Sequence, residues 1–199
     1  MKSMWDERYA STAYVYGTAP NDFFASSIEN MKPGALLLPG EGEGRNAAHA
    51  LKLGWSVQAF DQSVEGKKKA MTLAGDLKPV FRYDVCDLQE FHFKKETYDA
   101  VALIFFHVPP PLRSLLHEQS IEALKPGGSL ILQAFHTTQL GKGTGGPQDV
   151  DMLMNKAMLE NDFSSLETGV LEERSILIQE GPYHQGEANV INYLGYKNQ

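Results

Sequence analysis

The sequence predicts an α/β fold with a doubly wound, mostly parallel sheet, and three observations carry this. Short apolar runs without alternation, such as Ala35-Leu36-Leu37-Leu38, suit strands buried on both faces. Strand-like and helix-like segments alternate five times. Glycine and proline punctuate the hand-overs between them. At about 150 residues per domain, the 199 residues make one domain, with an N-terminal helical cap region over 1–30 and a core over 31–199. A chain this long buries about 70% of its unfolded surface without staples.

Taken in order, residues 1–30 are rich in aromatics: Trp5, Tyr9, Tyr14, Tyr16, Phe23 and Phe24. Asn21-Asp22 caps a helix to about Asn30, which Lys32-Pro33-Gly34 breaks. The first strand, residues 35–38, leads straight into glycines 40, 42 and 44. Residues 45–53 read as a helix with Ala47, Ala48 and Leu51 on one face, ended by a left-handed cap at Gly54. Residues 55–60 form a second strand with Asp61 just beyond it. Residues 64–74 form a helix whose Lys67-Lys68-Lys69 reads as a solvated face.

A third strand covers 79–83, with Asp84-Val85-Cys86-Asp87 after it. A fourth, 98–106, is stopped by Pro109-Pro110-Pro111, residues tolerated in a first helical turn. That helix places Leu112, Leu115, Leu116, Ala123 and Leu124 on one face. Lys125-Pro126-Gly127-Gly128 is a turn, and 129–135 is the fifth strand. A glycine-rich loop, Gly141 to Pro147, follows, and Asp149 or Asp151 caps a helix to about Asn161. Two late strands, near 167–179 and 188–196, are joined by a short polar connection and pair antiparallel.

Composition excludes several function classes. With 42% hydrophobic and 22% charged residues, the chain is neither a disordered tail nor a fibre. A single cysteine, Cys86, excludes a disulfide framework and a cysteine-rich zinc site, and no metal-ligand spacing occurs elsewhere. No apolar run approaches about 18 residues, and the charged first eight residues do not read as a signal peptide. The expectation is a cytoplasmic protein with no membrane partner. A formal charge of -7 repels phosphate backbones, so nucleic acid is not an expected partner. The absence of G-x-S-x-G leaves hydrolase chemistry of that type unsupported.

Gly40-Glu41-Gly42-Glu43-Gly44 sits between a buried strand and a helix, the place of a nucleotide-type binding loop. A dinucleotide fingerprint needs a third glycine where Arg45 stands. Glu41 and Glu43 repel a pyrophosphate and suit a ligand with positive charge and no phosphate. S-adenosylmethionine has an ammonium, a sulfonium and one carboxylate; Arg45 or the loop N–H groups take the carboxylate. Asp61, 21 residues after Gly40, is placed to accept from both ribose hydroxyls, with Gln62 and Ser63 beside it, unless it is only a helix cap. Asp84 is the candidate acceptor for an adenine amino group, with Asp87 as its competitor.

These motifs resemble those of class I S-adenosylmethionine-dependent methyltransferases. The resemblance rests on residues 37–46, Phe60-Asp61-Gln62-Ser63, residues 84–88 and residues 124–128. Trp5-Asp6-Glu7-Arg8-Tyr9 and Tyr14-Val15-Tyr16-Gly17 extend it toward the branch holding the tellurite-resistance and thiopurine methyltransferases. It implies a Rossmann-like seven-stranded sheet with the last strand antiparallel and helices on both faces. It also implies methyl transfer to a small-molecule acceptor, with a soft sulfur, selenium or tellurium nucleophile as one class. By motif, cofactor contacts fall on Gly40, Gly42, Gly44, Asp61 and Asp84; Tyr16, Arg45, Gln62, Ser63 and Val85 join them as neighbours. Leu38 stands where many members carry an acid, so the ammonium needs other acceptors, such as backbone carbonyls or Glu41.

Methyl transfer is an in-line displacement, and holding the partners in line supplies much of the rate. A neutral oxygen or nitrogen needs a base, and His107, after the fourth strand, is the candidate unless it only packs or caps. His136 occupies the corresponding place after the fifth strand, and His184 reads as a surface-loop histidine. Tyr14 and Tyr16, with Trp5 behind them, are placed to face a sulfonium or to pack on the sheet. The Gly141–Pro147 loop is a candidate lid or a plain connection. Two further readings stay open: a cofactor-binding sensor or scaffold without catalysis, and a nucleotide-sugar or NAD enzyme.

Overall fold

The computed structural model describes residues 2–199, with the side chains of Lys2, Ser3, Lys78 and Pro79 left aside. Met1, the first residue of the expected cap region, lies outside the described residues. Helices α1 (Lys2–Tyr9) and α2 (Asp22–Ile28) precede strand β1 (Ala35–Pro39). Helix α3 (Arg45–Lys52), strand β2 (Ser56–Asp61), helix α4 (Val64–Ala74) and strand β3 (Phe81–Val85) complete the first half. Strand β4 (Tyr98–Ile104), helix α5 (Pro110–Ala123), strand β5 (Leu124–Phe135), helix α6 (Lys156–Asp162) and the hairpin β6 (Leu166–Gln179) and β7 (Gln185–Lys197) complete the second.

All seven strands form one sheet in the order β3-β2-β1-β4-β5-β7-β6. β7 runs antiparallel to both of its neighbours, and the other pairings are parallel. The direction of strand succession reverses between β1 and β4. A crevice therefore opens there, beyond the carboxyl ends of the strands.

Alternation within β1 sorts the core. Leu36 and Leu38 face one cluster with Phe24, Ile28, Ala47, Leu51 and Ala70, so α2, α3 and α4 cover that side. Leu37 faces the other cluster with Leu116, Ala123 and Leu159, so α5 and α6 cover the opposite side. Each fully buried leucine contributes about 2 kcal/mol of apolar transfer. Small residues let the layers approach. An added Cβ on Gly44 would lie 2.5 Å from the Ala70 Cβ, so glycine sets the close packing of α3 on α4.

Several local expectations need correction. β3 begins and ends two residues later than expected, because Phe60 pairs with Asp84 and Asp61 with Val85 in the ladder. Neither residue lies beyond the strand tip. Leu124 already pairs with Tyr98, and the ladder resumes at Ser129 opposite Ala100, so the Lys125–Gly128 turn bulges out inside β5. Asp149 caps only a single turn, Val150–Met152. Met154 then extends to bridge His136, and Asn155 caps α6. Lys69 is not solvated: it pairs with Glu43 at 2.6 Å. Among the described residues, no helix is long and apolar enough to cross a membrane, and no group of three or more His, Cys, Asp or Glu could hold a metal.

Candidate functional site

A cavity of about 360 Å³ lies over the carboxyl ends of β1, β2, β4 and β5. Gly40, Glu41, Asp61 and Gln62 line its first half, and Phe105, His107, Phe135 and His184 line its second. α1 brings Trp5, Arg8 and Tyr9 to its rim.

The glycine loop is shaped by left-handed backbone at Gly40 (φ 64°), Gly42 (φ 60°) and Gly44 (φ 88°). A Cβ on Gly40 would collide with the Phe106 ring, so only glycine lets the loop pass under it. Gly40 reaches the cavity; Gly42 and Gly44 do not line it and pack against Tyr9 and Ala70. Glu41 supplies the cap that Gly44 lacks, accepting from the Ala47 N–H at 2.8 Å. A carboxylate of the protein thus holds the helix N-terminus where a pyrophosphate would sit. Burial pushes the Glu41 carboxyl up to about 7, against these hydrogen bonds. Glu43 is not left for a ligand: it holds Lys69 and accepts from the Val15 N–H at 2.7 Å, tying the N-terminal segment to the loop.

Asp61 accepts from Gly42 N–H at 3.1 Å and Ser63 N–H at 2.9 Å. Burial raises its carboxyl to about 6. Ser63 caps α4 and donates to Asp6 of α1 at 2.6 Å; it does not line the cavity, whereas Gln62 does. Asp84 and Val85 lie outside the lining. The Asp84 carboxylate accepts from Gln58 at 2.8 Å and pairs with Arg82 at 3.1 Å. Its competitor Asp87, with Cys86 and Leu88, lines the cavity instead.

The expected base is disqualified by its bonds. His107 lines the cavity, but Nδ1 meets the Met152 carbonyl at 2.9 Å and Nε2 accepts from the Phe135 N–H at 3.3 Å. Burial lowers its pKa to about 4. It is a neutral ring with both nitrogens committed. His136 caps the turn at Thr137–Gln139, reaches Glu173 at 3.2 Å, and does not line the cavity. His184, read as a surface residue, is 8% exposed and lies in the wall. The turn between β6 and β7 folds back over the cavity and carries it inward.

Arg45 does not present a free guanidinium. It pairs with Glu180 at 2.7 Å, and the same Glu180 oxygen lies 3.2 Å from His184 Nδ1. Burial opposes the Glu180 charge, yet His184, Arg45 and Asn21 outweigh it and hold the carboxyl at about 2. No local spacing announces this trio. Tyr16 lies tilted against the His184 ring at 4.6 Å and accepts from Arg8 at 3.0 Å. Arg8 is in turn 4.8 Å from the centroids of both Trp5 and Tyr183. Tyr14 turns away, donating to the Lys69 carbonyl at 3.1 Å. In the glycine-rich loop, Gly146 and Pro147 reach the cavity, and Thr144 is pinned to the Glu187 carbonyl at 2.7 Å.

Solved structures share this architecture. TehB from Haemophilus influenzae overlays with a TM-score of 0.71 at 14% identity, covering 99% of this chain and 67% of that one. An S-adenosylmethionine-dependent methyltransferase from Methanosarcina mazei gives 0.69 at 17% identity, covering 87% and 97%. The 1,6-didemethyltoxoflavin-N1-methyltransferase of Burkholderia thailandensis, solved with bound 1,6-didemethyltoxoflavin and S-adenosylhomocysteine, gives 0.62 at 17% identity, covering 88% and 77%. No curated protein matches the sequence. Residues 37–128, from within β1 to the glycine turn of β5, match the family model of a methyltransferase domain.

Proposed function

We propose that this single domain transfers a methyl group from S-adenosylmethionine to a small-molecule acceptor bound in the cavity. The observation that carries the reading is Glu41, capping α3 from inside the binding loop beside the half-buried Asp61. Two carboxylates that already take the Ala47 and Gly42 N–H groups suit ribose hydroxyls and an ammonium. They oppose a pyrophosphate, which weighs against an NAD or nucleotide-sugar enzyme. Gly40, Asp61 and Gln62 would hold the adenosyl part. Asp87 replaces Asp84 and Val85 at the adenine, because it lines the cavity and they do not. Tyr16, Trp5 and Tyr9 offer ring faces on the rim. Bound there, the sulfonium supplies an electrophilic methyl carbon.

The proposed relation to the tellurite-resistance and thiopurine branch rests on the N-terminal motifs, and it implies a soft sulfur, selenium or tellurium nucleophile. Arg8 favours that second reading. It lines the cavity and, among the described residues, has no carboxylate within ion-pair distance, so it suits an anionic acceptor.

Calorimetry with S-adenosylhomocysteine and with NAD separates the readings. Tight S-adenosylhomocysteine binding without NAD binding is expected. The reverse pattern sinks the proposal, and binding with no methylated product from any acceptor supports the sensor reading instead.

A further inference from the structure

We propose that His184, oriented by Glu180, is the base that takes a proton from a neutral O–H or N–H acceptor; this rests on the methyl-transfer reading above. His184 Nδ1 faces the Glu180 carboxylate at 3.2 Å, so Nδ1 carries the ring proton and Nε2 carries the lone pair. Nε2 has no protein hydrogen bond among the described residues. Gly145 packs on the ring: a Cβ there would stand 2.8 Å from His184 Cδ2 and 3.2 Å from Nε2, so only glycine fits beside the imidazole. His107 stands in contrast, with both ring nitrogens bonded to backbone.

The dyad is braced from several sides. Arg45 holds one Glu180 oxygen at 2.7 Å and Asn21 the other at 2.9 Å. Asn21 continues to Gln133 at 2.6 Å, and Gln133 to Asn192 at 2.7 Å, within the buried sheet. Phe105 and Phe135 meet the imidazole edge-on at 5.1 and 5.2 Å. Phe105 holds a φ of 51°, a conformation costly for a bulky residue, at the carboxyl end of β4. A buried histidine that lines a cavity, with one nitrogen held by a carboxylate and the other without a protein partner among the described residues, has the form of a general base.

The step balances. His184 Nε2 accepts the proton of the acceptor X–H. The freed pair on X forms the bond to the methyl carbon, the carbon–sulfur bond breaks with its pair on sulfur, and neutral thioether leaves. The proton then passes from His184 to solvent. A thiolate or other soft anion has no proton to give up, so a built base points to oxygen or nitrogen. Glu180 acts as a positioning residue, through the tautomer it selects.

The test pairs an acceptor panel with nuclear magnetic resonance. Catechol, benzimidazole and uracil form the protic arm; thiophenol and sulfide form the soft arm; product is read by mass. The expected result is a methylated product in the protic arm. His184→Ala then lowers kcat by about 10²–10⁴ while S-adenosylhomocysteine affinity stays within twofold. Glu180→Gln lowers kcat at least tenfold with KM within threefold. It also shifts nitrogen-15 signals of His184 away from the Nδ1–H tautomer, which loss of packing alone would not do. Products from the soft arm only, none from the protic arm, or an unchanged kcat in His184→Ala overturns the inference. Failure of the wild-type chain to bind S-adenosylhomocysteine overturns instead the reading beneath it.

Discussion

Carboxylates on the two sides of the cavity serve in opposite ways. On the β1–β2 side, Glu41 and Asp61 face backbone N–H groups and form no ion pair among the described residues, and burial lifts them to about 7 and about 6. On the β5–β7 side, Glu180 is locked between Arg45 and His184 and held at about 2. The first pair is under-satisfied as charge and gains when hydroxyls or a cation arrive. The second is satisfied already and fixes geometry. Substitutions on the two sides should therefore fail differently: one in binding, the other in stability.

The largest expected effect tests the locked side. Arg45→Met leaves Glu180 buried without its main counter-charge, a change that costs about 3 kcal/mol and lowers Tm by about 10 °C in a chain of this size. Thermal melts check this, and adding Glu180→Gln should restore part of the loss. If Arg45→Met instead melts like the parent and loses S-adenosylhomocysteine affinity, Arg45 holds the cofactor carboxylate and the contrast between the halves is wrong.

Next comes the open side. Asp61→Ala removes the acceptor proposed for the ribose and should weaken S-adenosylhomocysteine binding more than tenfold by calorimetry. An affinity close to the parent's would remove Asp61 from the site. The same carboxylates make a pH prediction. Their folded pKa values lie above the ordinary ones, so their contribution to stability is full below about pH 4 and is lost as pH rises through about 6 and 7. The free protein should lose Tm between pH 5 and 8, and bound S-adenosylhomocysteine should reduce the loss. Binding near pH 5.5 should release protons, seen as a dependence of the binding heat on buffer ionisation enthalpy. Absence of that dependence means the ligand does not meet these groups. Glu180 runs the other way: its stabilisation is present above the ordinary carboxylate range and lost only as pH falls through about 2.

The open side was legible in the sequence because its signals are local. A buried strand, three glycines and an acid at the next strand's end lie within 27 residues, from Ala35 to Asp61. The locked side was not, because Arg45 and Glu180 meet across 135 positions of chain. His184 looked like a surface residue for the same reason: only the fold-back of the hairpin buries it. Position along a strand cannot reveal that the backbone of Met152 and Phe135 consumes both nitrogens of His107. Glu43 and Lys69 belong to each other across 26 positions of chain, a pairing that neither residue's neighbours in sequence announce.

The smallest effect sharpens the boundary of the open half. Asp84 and Asp87 are three positions apart, and sequence gives no reason to prefer the second. Asp84 is spent on Arg82 and Gln58 within the ladder, while Asp87 is exposed at the cavity edge, where no protein donor reaches its carboxylate among the described residues. A hydrogen bond from an adenine amino group to a solvent-exposed carboxylate is worth about 1 kcal/mol. Asp87→Asn should therefore weaken S-adenosylhomocysteine several-fold, because the new amide can turn a donor toward the amino group. Asp84→Asn should change affinity less than twofold, since its ties to Gln58 lie within the sheet. Equal losses in both variants would mean that the end of β3 moves on binding. A loss in Asp84→Asn alone would return the adenine contact to the strand itself.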